Sequence, residues 1–150
     1  MSFPTEADFA LIKIKTAVGP PAVFKMLCGI ENVSINRSAN MSERYRRDCA
    51  KPNRPGQRKL RNNGNSWQIS GGGVANVDLI EDFETALGVL KDYEVELYQD
   101  NDTDTGLLLG THAGTGMLTT DNDTHDQNAD GSTKEITIEG EGLLVWTPAS

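Results

Sequence analysis

SWQISGGGVANVDLIEDFETALG, residues 66–88, is the stretch on which the reading of the whole chain turns. Its first part alternates, with Trp67 and Ile69 on one side and Ser66, Gln68 and Ser70 on the other, the two-residue period of a half-buried strand. Gly71, Gly72 and Gly73 then predict an abrupt break, because residues without a Cβ enter any turn conformation. A helix follows. Asn76 or Asp78 supplies a side-chain cap, Glu81, Asp82 and Glu84 favour the positive N-terminal end, and Leu79, Ile80, Phe83 and Leu87 form the apolar face. Gly88 stands where a helix-terminating glycine belongs. No other segment reads convincingly as a helix. The expected class is therefore mainly β, a sandwich or partly closed barrel with one helix laid against it.

Upstream of this stretch, Ala10, Ile12 and Ile14 alternate with Leu11, Lys13 and Lys15. A turn at Gly19-Pro20-Pro21 leads to an apolar run, Ala22 to Cys28, that reads as a core strand. Beyond Gly29, Val33 and Ile35 face one way and Asn32, Ser34, Asn36 and Ser38 the other. Downstream, Tyr93, Val95 and Leu97 alternate with Glu94, Glu96 and Tyr98, while Leu107 to Leu109 and Met117 to Thr120 flank a glycine-rich break. Ile136 and Ile138 then alternate with Glu135, Thr137 and Glu139 before Leu143-Leu144-Val145-Trp146. Seven or eight short strands are expected in a single domain spanning 1–150.

Between Ala39 and Asn65 the periodicity vanishes. This polar, basic segment contains Pro52 and Pro55 and carries Arg44, Arg46, Arg47, Lys51, Arg54, Arg58, Lys59 and Arg61. It reads as a long loop, either a solvated linker or an arm that orders on a partner through anchors such as Met41, Tyr45 and Leu60. Charge is divided unevenly along the chain. Residues 1–75 hold 12 basic and 5 acidic side chains, residues 76–150 hold 2 basic and 17 acidic, and the net charge is −8. The two halves neighbour each other within one molecule, or the basic segment of one copy meets the acidic surface of the next.

Composition excludes several classes. The acidic balance argues against a nucleic-acid reader. No apolar run approaches the ~20 residues of a membrane span, and residues 1–10 lack the pattern of a secretion signal, so synthesis in a cytoplasm is expected. Cys28 and Cys49 read as two reduced thiols. Residues 100–106, DNDTDTG, resemble a calcium loop, but the glycine is at the seventh place instead of the sixth, and Thr111 occupies the twelfth where a glutamate belongs. The Asp121–Gly131 segment repeats Asp-Asn-Asp-Thr without ligand spacing, and both segments read as loop tips. His112 and His125 lack partners for a zinc site. Glu94 with Glu96, and Glu139 with Glu141, line a strand face as solvated carboxylates do. No nucleophile is paired with a base, so neither an enzyme nor a cofactor is expected.

The order of parts resembles the tail tube (major tail) proteins of long-tailed bacteriophages and phage-derived gene transfer agents. A first hairpin leads into Cys28-Gly29-Ile30-Glu31-Asn32-Val33-Ser34-Ile35, similar to the family's strand entering the tube wall. A long loop follows, then Trp67-Gln68-Ile69-Ser70-Gly71, which resembles the returning wall strand, the helix, a hairpin and a last strand. The resemblance implies a structural virion protein whose hexameric rings stack into a hollow tail tube for DNA. It implies tape-measure, tail-terminator and baseplate proteins as partners, no membrane, and assembly into a virion tail in a bacterial host's cytoplasm. It also implies inter-ring contacts through Arg44, Arg46, Arg47, Arg54, Arg58 and Lys59. Asn36, Gln68, Glu94, Glu96, Glu135 and Glu139 become candidates for the lumen, and Leu79, Ile80, Phe83 and Leu87 for helix packing. The alternatives are another tail or baseplate component, a contractile-injection tube of the same fold, or a monomeric β-sandwich module binding calcium or a carbohydrate.

Overall fold

A computed structural model describes residues 3–17, 23–127 and 131–149. The expected turn at Gly19-Pro20-Pro21 lies outside these residues. Among the described residues seven strands form, β1 (Phe9–Ala17), β2 (Val23–Met26), β3 (Ile30–Arg46), β4 (Gln57–Val74), β5 (Leu90–Gln99), β6 (Leu107–His125) and β7 (Ser132–Pro148). All pair antiparallel in one sheet of order β2-β1-β5-β6-β7-β4-β3. The mainly-β class with one helix is what the sequence led us to expect. The strands make a single unclosed sheet that folds over on itself, in keeping with the expected sandwich or partly closed barrel. Ile12 and Ile14 of β1 and Tyr93 and Val95 of β5 join Ile69 of β4 and Ile136 and Ile138 of β7 in one buried cluster. That interior is apolar apart from Lys134 of β7 and the Tyr93 hydroxyl, and burial of its large side chains supplies the driving force for the fold.

The helix α1 (Ile80–Ala86) follows a 3-10 turn at Val77–Leu79 and links β4 to β5. Asn76 caps the turn, its Oδ1 accepting from Asp78 N at 3.1 Å, and Gly88 takes a φ of +75° after the last turn. Leu79 and Phe83 are 3% exposed and Ile80 is half-buried. Leu87, expected on the same face, is 47% exposed, and Ala86 is buried. The helix ends at Ala86, so Leu87 has extended backbone and leaves the apolar stripe.

Several expected breaks are continuous strands. Gly71, Gly72 and Gly73 do not end β4, which runs through them to Val74. They serve close approach: a Cβ at Gly71 would lie 2.7 Å from Ile30 Cγ2, and one at Gly73 would lie 2.0 Å from the Gly29 carbonyl oxygen. The glycines between Leu109 and Met117 likewise lie inside β6. The Trp67 indole rests on Gly114, Gly116 and Gly140, where an added Cβ would sit 2.7, 3.2 and 2.0 Å from its ring atoms. Trp67 Nε1 donates to the Gly142 carbonyl at 3.2 Å. Asp121 to His125, read as part of a loop tip, completes β6, and Ile136 through Trp146 is one strand. The expected core strand Ala22 to Cys28 is reduced to the short edge strand β2, mostly exposed, with Leu27 buried just beyond it.

The largest departure concerns residues 39–65. β3 and β4 continue through most of this segment, paired from Ile30↔Gly73 out to Arg46↔Gln57, and only residues 47–56 form a turn. β4 pairs with β7 only from Gln68 to Val74. Beyond that point the hairpin stands alone as a two-stranded arm, with nine residues of β3, Ser38 to Arg46, extending about 30 Å at the rise of a strand. Because neither face of the arm is buried, its sequence shows no period, which is why it read as a loop.

Candidate functional site

Directly opposite residues of antiparallel strands share a face, so Asn36, Gln68 and Glu139 form one row across β3, β4 and β7. The next row is Ser34, Ser70 and Thr137, and Glu135 lies beyond it opposite Gly72. This face points away from the core. Arg37 and Lys134, the basic residues in these parts of the three strands, are on the opposite face, so Glu135 and Glu139 have no cation beside them on it.

Glu94 and Glu96 lie on the outward face of β5, opposite Lys13 and Leu11 of β1. Since the inward side chains of β1 and β5 pack against those of β4 and β7, these two glutamates face away from the first group. The six residues selected from sequence therefore form two surfaces. The second is largely neutralised. Lys13 is ion-paired with Glu96, Tyr98 Oη donates to Glu96 Oε2 at 3.1 Å, and Glu96 is only 8% exposed. The hydrogen bond to Glu96 holds Lys13 above the usual lysine range. Burial, then the Glu96 charge, pushes Glu94 up. Asp92 is held low by the Thr115 hydroxyl at 2.7 Å and by Lys15 at 3.4 Å.

The arm has two dissimilar faces. Ser42↔Arg61, Arg44↔Lys59 and Arg46↔Gln57 make one of them strongly basic, with Arg44 and Lys59 directly opposed. Like charges in that position destabilise a ribbon. The other face carries Met41, Tyr45 and Leu60, which are 52%, 67% and 53% exposed, and the Arg58–Glu43 ion pair at 2.5 Å. Arg47 and Arg54 lie in the turn, and all six basic residues proposed from sequence are exposed. Residues 38–66 contain eight basic and two acidic side chains. An isolated two-stranded hairpin is marginally stable in water, so an exposed ribbon of this length fits a surface that is covered in an assembly.

At the opposite end of the strands lie α1, the end of β6 and the start of β7. Lys134, 3% exposed, is paired with Asp121 at 2.5 Å and Asp123 at 2.8 Å and lies 3.9 Å from the centre of the Phe83 ring. Burial pulls its pKa down, but the hydrogen bonds to the two aspartates outweigh this and hold it above the usual lysine range. Lys25 bonds Asp82 at 2.7 Å and ties β2 to the helix. Sequence reading missed this cluster. Its signal was a single lysine between two acidic stretches, since residues 76–150 contain no basic residue besides Lys91 and Lys134.

A second missed cluster closes the base of the arm. Arg37 Nη2 donates to His112 Nδ1 at 2.8 Å, and the imidazole lies 4.6 Å from the Trp146 ring. An arginine only donates, so Nδ1 is the acceptor and His112 is neutral with its proton on Nε2. Burial, then the Arg37 charge, holds its pKa below the usual histidine range. In the Asp100–Gly106 loop the Asp100 and Asn101 side-chain oxygens accept from the backbone nitrogens of Asp102 and Thr103, which accounts for them as turn formers. Cys28 and Cys49 are free and exposed, near opposite ends of the strands. Among the described residues no helix is long and apolar enough to cross a membrane.

No family model matches the chain, and no curated protein matches it. Solved structures do. A chain of the virion of a native gene transfer agent particle is 18% identical at a TM-score of 0.66, the match covering 96% of this chain and 99% of that one. A chain from the tail of the empty gene transfer agent particle, refined with C6 symmetry, is 19% identical at 0.63, covering 91% and 94%. One from the sheath-tube complex of an extracellular contractile injection system, PVC, is 16% identical at 0.63, covering 98% and 93%. The likeness is one of fold along nearly the full length of each chain: the seven-stranded sheet with its single helix is the fold found in these tail and tube assemblies.

Proposed function

We propose that the chain is a structural tail tube subunit, six copies forming a ring and rings stacking into a hollow tube through which DNA is delivered. The observation that carries this reading is the correspondence of fold with a gene transfer agent virion chain over 96% of this chain and 99% of that one. The C6 symmetry stated for the related tail supports six subunits to a ring. In this reading the bore is lined by the face bearing Asn36, Gln68, Glu135 and Glu139, not by the face bearing Glu94 and Glu96. The first presents acids with no cation beside them, and a carboxylate-lined channel repels phosphates and lets DNA pass without binding. Arg44, Arg46, Arg47, Arg54, Arg58 and Lys59 reach the adjacent ring from the arm. A tape-measure protein occupies the bore during assembly, with a terminator and a baseplate at the ends. The tube belongs to a virion tail built in a bacterial cytoplasm, and its role is mechanical, not enzymatic.

Sedimentation of the purified chain tests this reading against that of a monomeric binding module. A tube subunit forms rings and polymers whose proportion rises with concentration, whereas a module remains a single 16.3 kDa species at every concentration.

A further inference from the structure

Strand direction gives the molecule two chemically opposite ends. β3 runs away from the helix and β4 runs back, so the arm and its turn at residues 47–56 project at one end. The helix, the turn before it and the segment leading into β5 lie at the other. Residues 77–84 contain four acidic side chains and no basic one. Asp78, Glu81 and Glu84 are exposed, while Lys25 is committed to Asp82 and Lys134 to Asp121 and Asp123. Around these acids stand exposed apolar side chains, Val77 at 73% and Leu87, Val89 and Leu90 at 47% each. That surface therefore mirrors the arm, which pairs a basic face with an apolar one.

The geometry points to a specific receptor for the arm. The acidic and apolar surface of α1 and its flanks, centred on Glu81, Glu84, Val77 and Leu87, receives the arm of a second copy of this chain stacked head to tail. The proposal rests on the stacking reading above and adds to it the surface on which the arm lands. Charge complementarity selects the occupant, because Arg44 and Lys59, opposed on one face, need anions from outside their own ribbon. Copies in one orientation can repeat this contact indefinitely, since each has one arm and one receptor, which makes it a heterologous contact.

Disulfide trapping tests it with the whole chain. In a Cys28→Ser background, native Cys49 in the arm's turn is the single thiol, and Glu81→Cys or, separately, Leu87→Cys adds one on the receptor. Assembled tubes oxidised with dithiodipyridine should then give a ladder of linked multimers on a non-reducing gel. Thr103→Cys, at the same end as the arm, should give none. Glu81→Lys with Glu84→Lys should lower the sedimenting fraction at least tenfold, and adding Arg44→Glu with Lys59→Glu should restore it. Tubes that form but link through Thr103→Cys, or through neither receptor position, overturn the proposed surface while leaving tube assembly standing. Failure of the unmodified chain to form tubes overturns the stacking reading and this proposal with it.

Discussion

The indole of Trp67 lies where two strands, β6 and β7, offer three glycines and no side chain, and its burial depends on that absence. Gly140→Ala places a methyl carbon 2.0 Å from the ring, so the tryptophan must shift, at a cost of about 1 to 3 kcal/mol read from urea denaturation. Gly64→Ala, with nothing within 4 Å of the added carbon, should leave the midpoint unchanged or slightly raised. His112 gives a prediction in pH. Its folded pKa lies below the ordinary value, so the unfolded chain binds the proton more readily and the folded state loses stability as pH falls through about 6.5. A melting temperature that declines between pH 7.5 and 5, with a shallower decline in His112→Gln, is the expected result. An identical slope in both would remove His112 from the account. Trp67 was legible as a core residue because the alternation around it is local. His112 was not, because Arg37 is 75 positions away and only the folded sheet brings them together.

Elements with one buried face were readable and those with none were not. The helix announced itself through its cap, its acids and Phe83, and Phe83→Ala should cost on the order of 3 to 5 kcal/mol, since the ring is 3% exposed beneath Lys134. Leu87→Ala should change the melting temperature little, because that side chain is half in solvent. The strand alternation at Val33 and Ile35 and at Ile136 and Ile138 was equally plain. Glycines misled the reading wherever they make room for a ring or a neighbouring backbone, because a glycine that ends a strand and one that admits close packing look alike in sequence. The arm was unreadable for a different reason: a ribbon with two wet faces has no hydrophobic period. Replacing residues 42–61 by Asn-Gly, a two-residue turn, should leave the β-sheet circular dichroism signal and the thermal transition intact while abolishing polymers. For the full chain, polymer formation should slow as salt rises, since exposed ionic contacts are screened beyond roughly 8 to 10 Å at physiological strength.

At the scale of the whole molecule, the uneven charge along the sequence becomes an uneven charge in space. The first half contributes the basic arm and the second half the acidic helix, and antiparallel pairing carries them to opposite ends of the strands. The same sheet separates a face with unpaired acids, at Glu135 and Glu139, from one where Lys13 and Lys15 answer Glu96 and Asp92. On the proposed reading one face is the wall, the arm and its receptor join successive copies, and each remains incomplete in a single copy. Helical reconstruction by electron cryo-microscopy of polymers grown from the purified chain is the decisive test of the tube proposal. The expected result is a hollow tube of stacked six-membered rings with Glu139 facing the bore and residues 47–56 seated on the adjacent ring; a chain that stays monodisperse at 16.3 kDa, or a tube with Glu94 in the bore and Glu139 outside, would contradict the proposal.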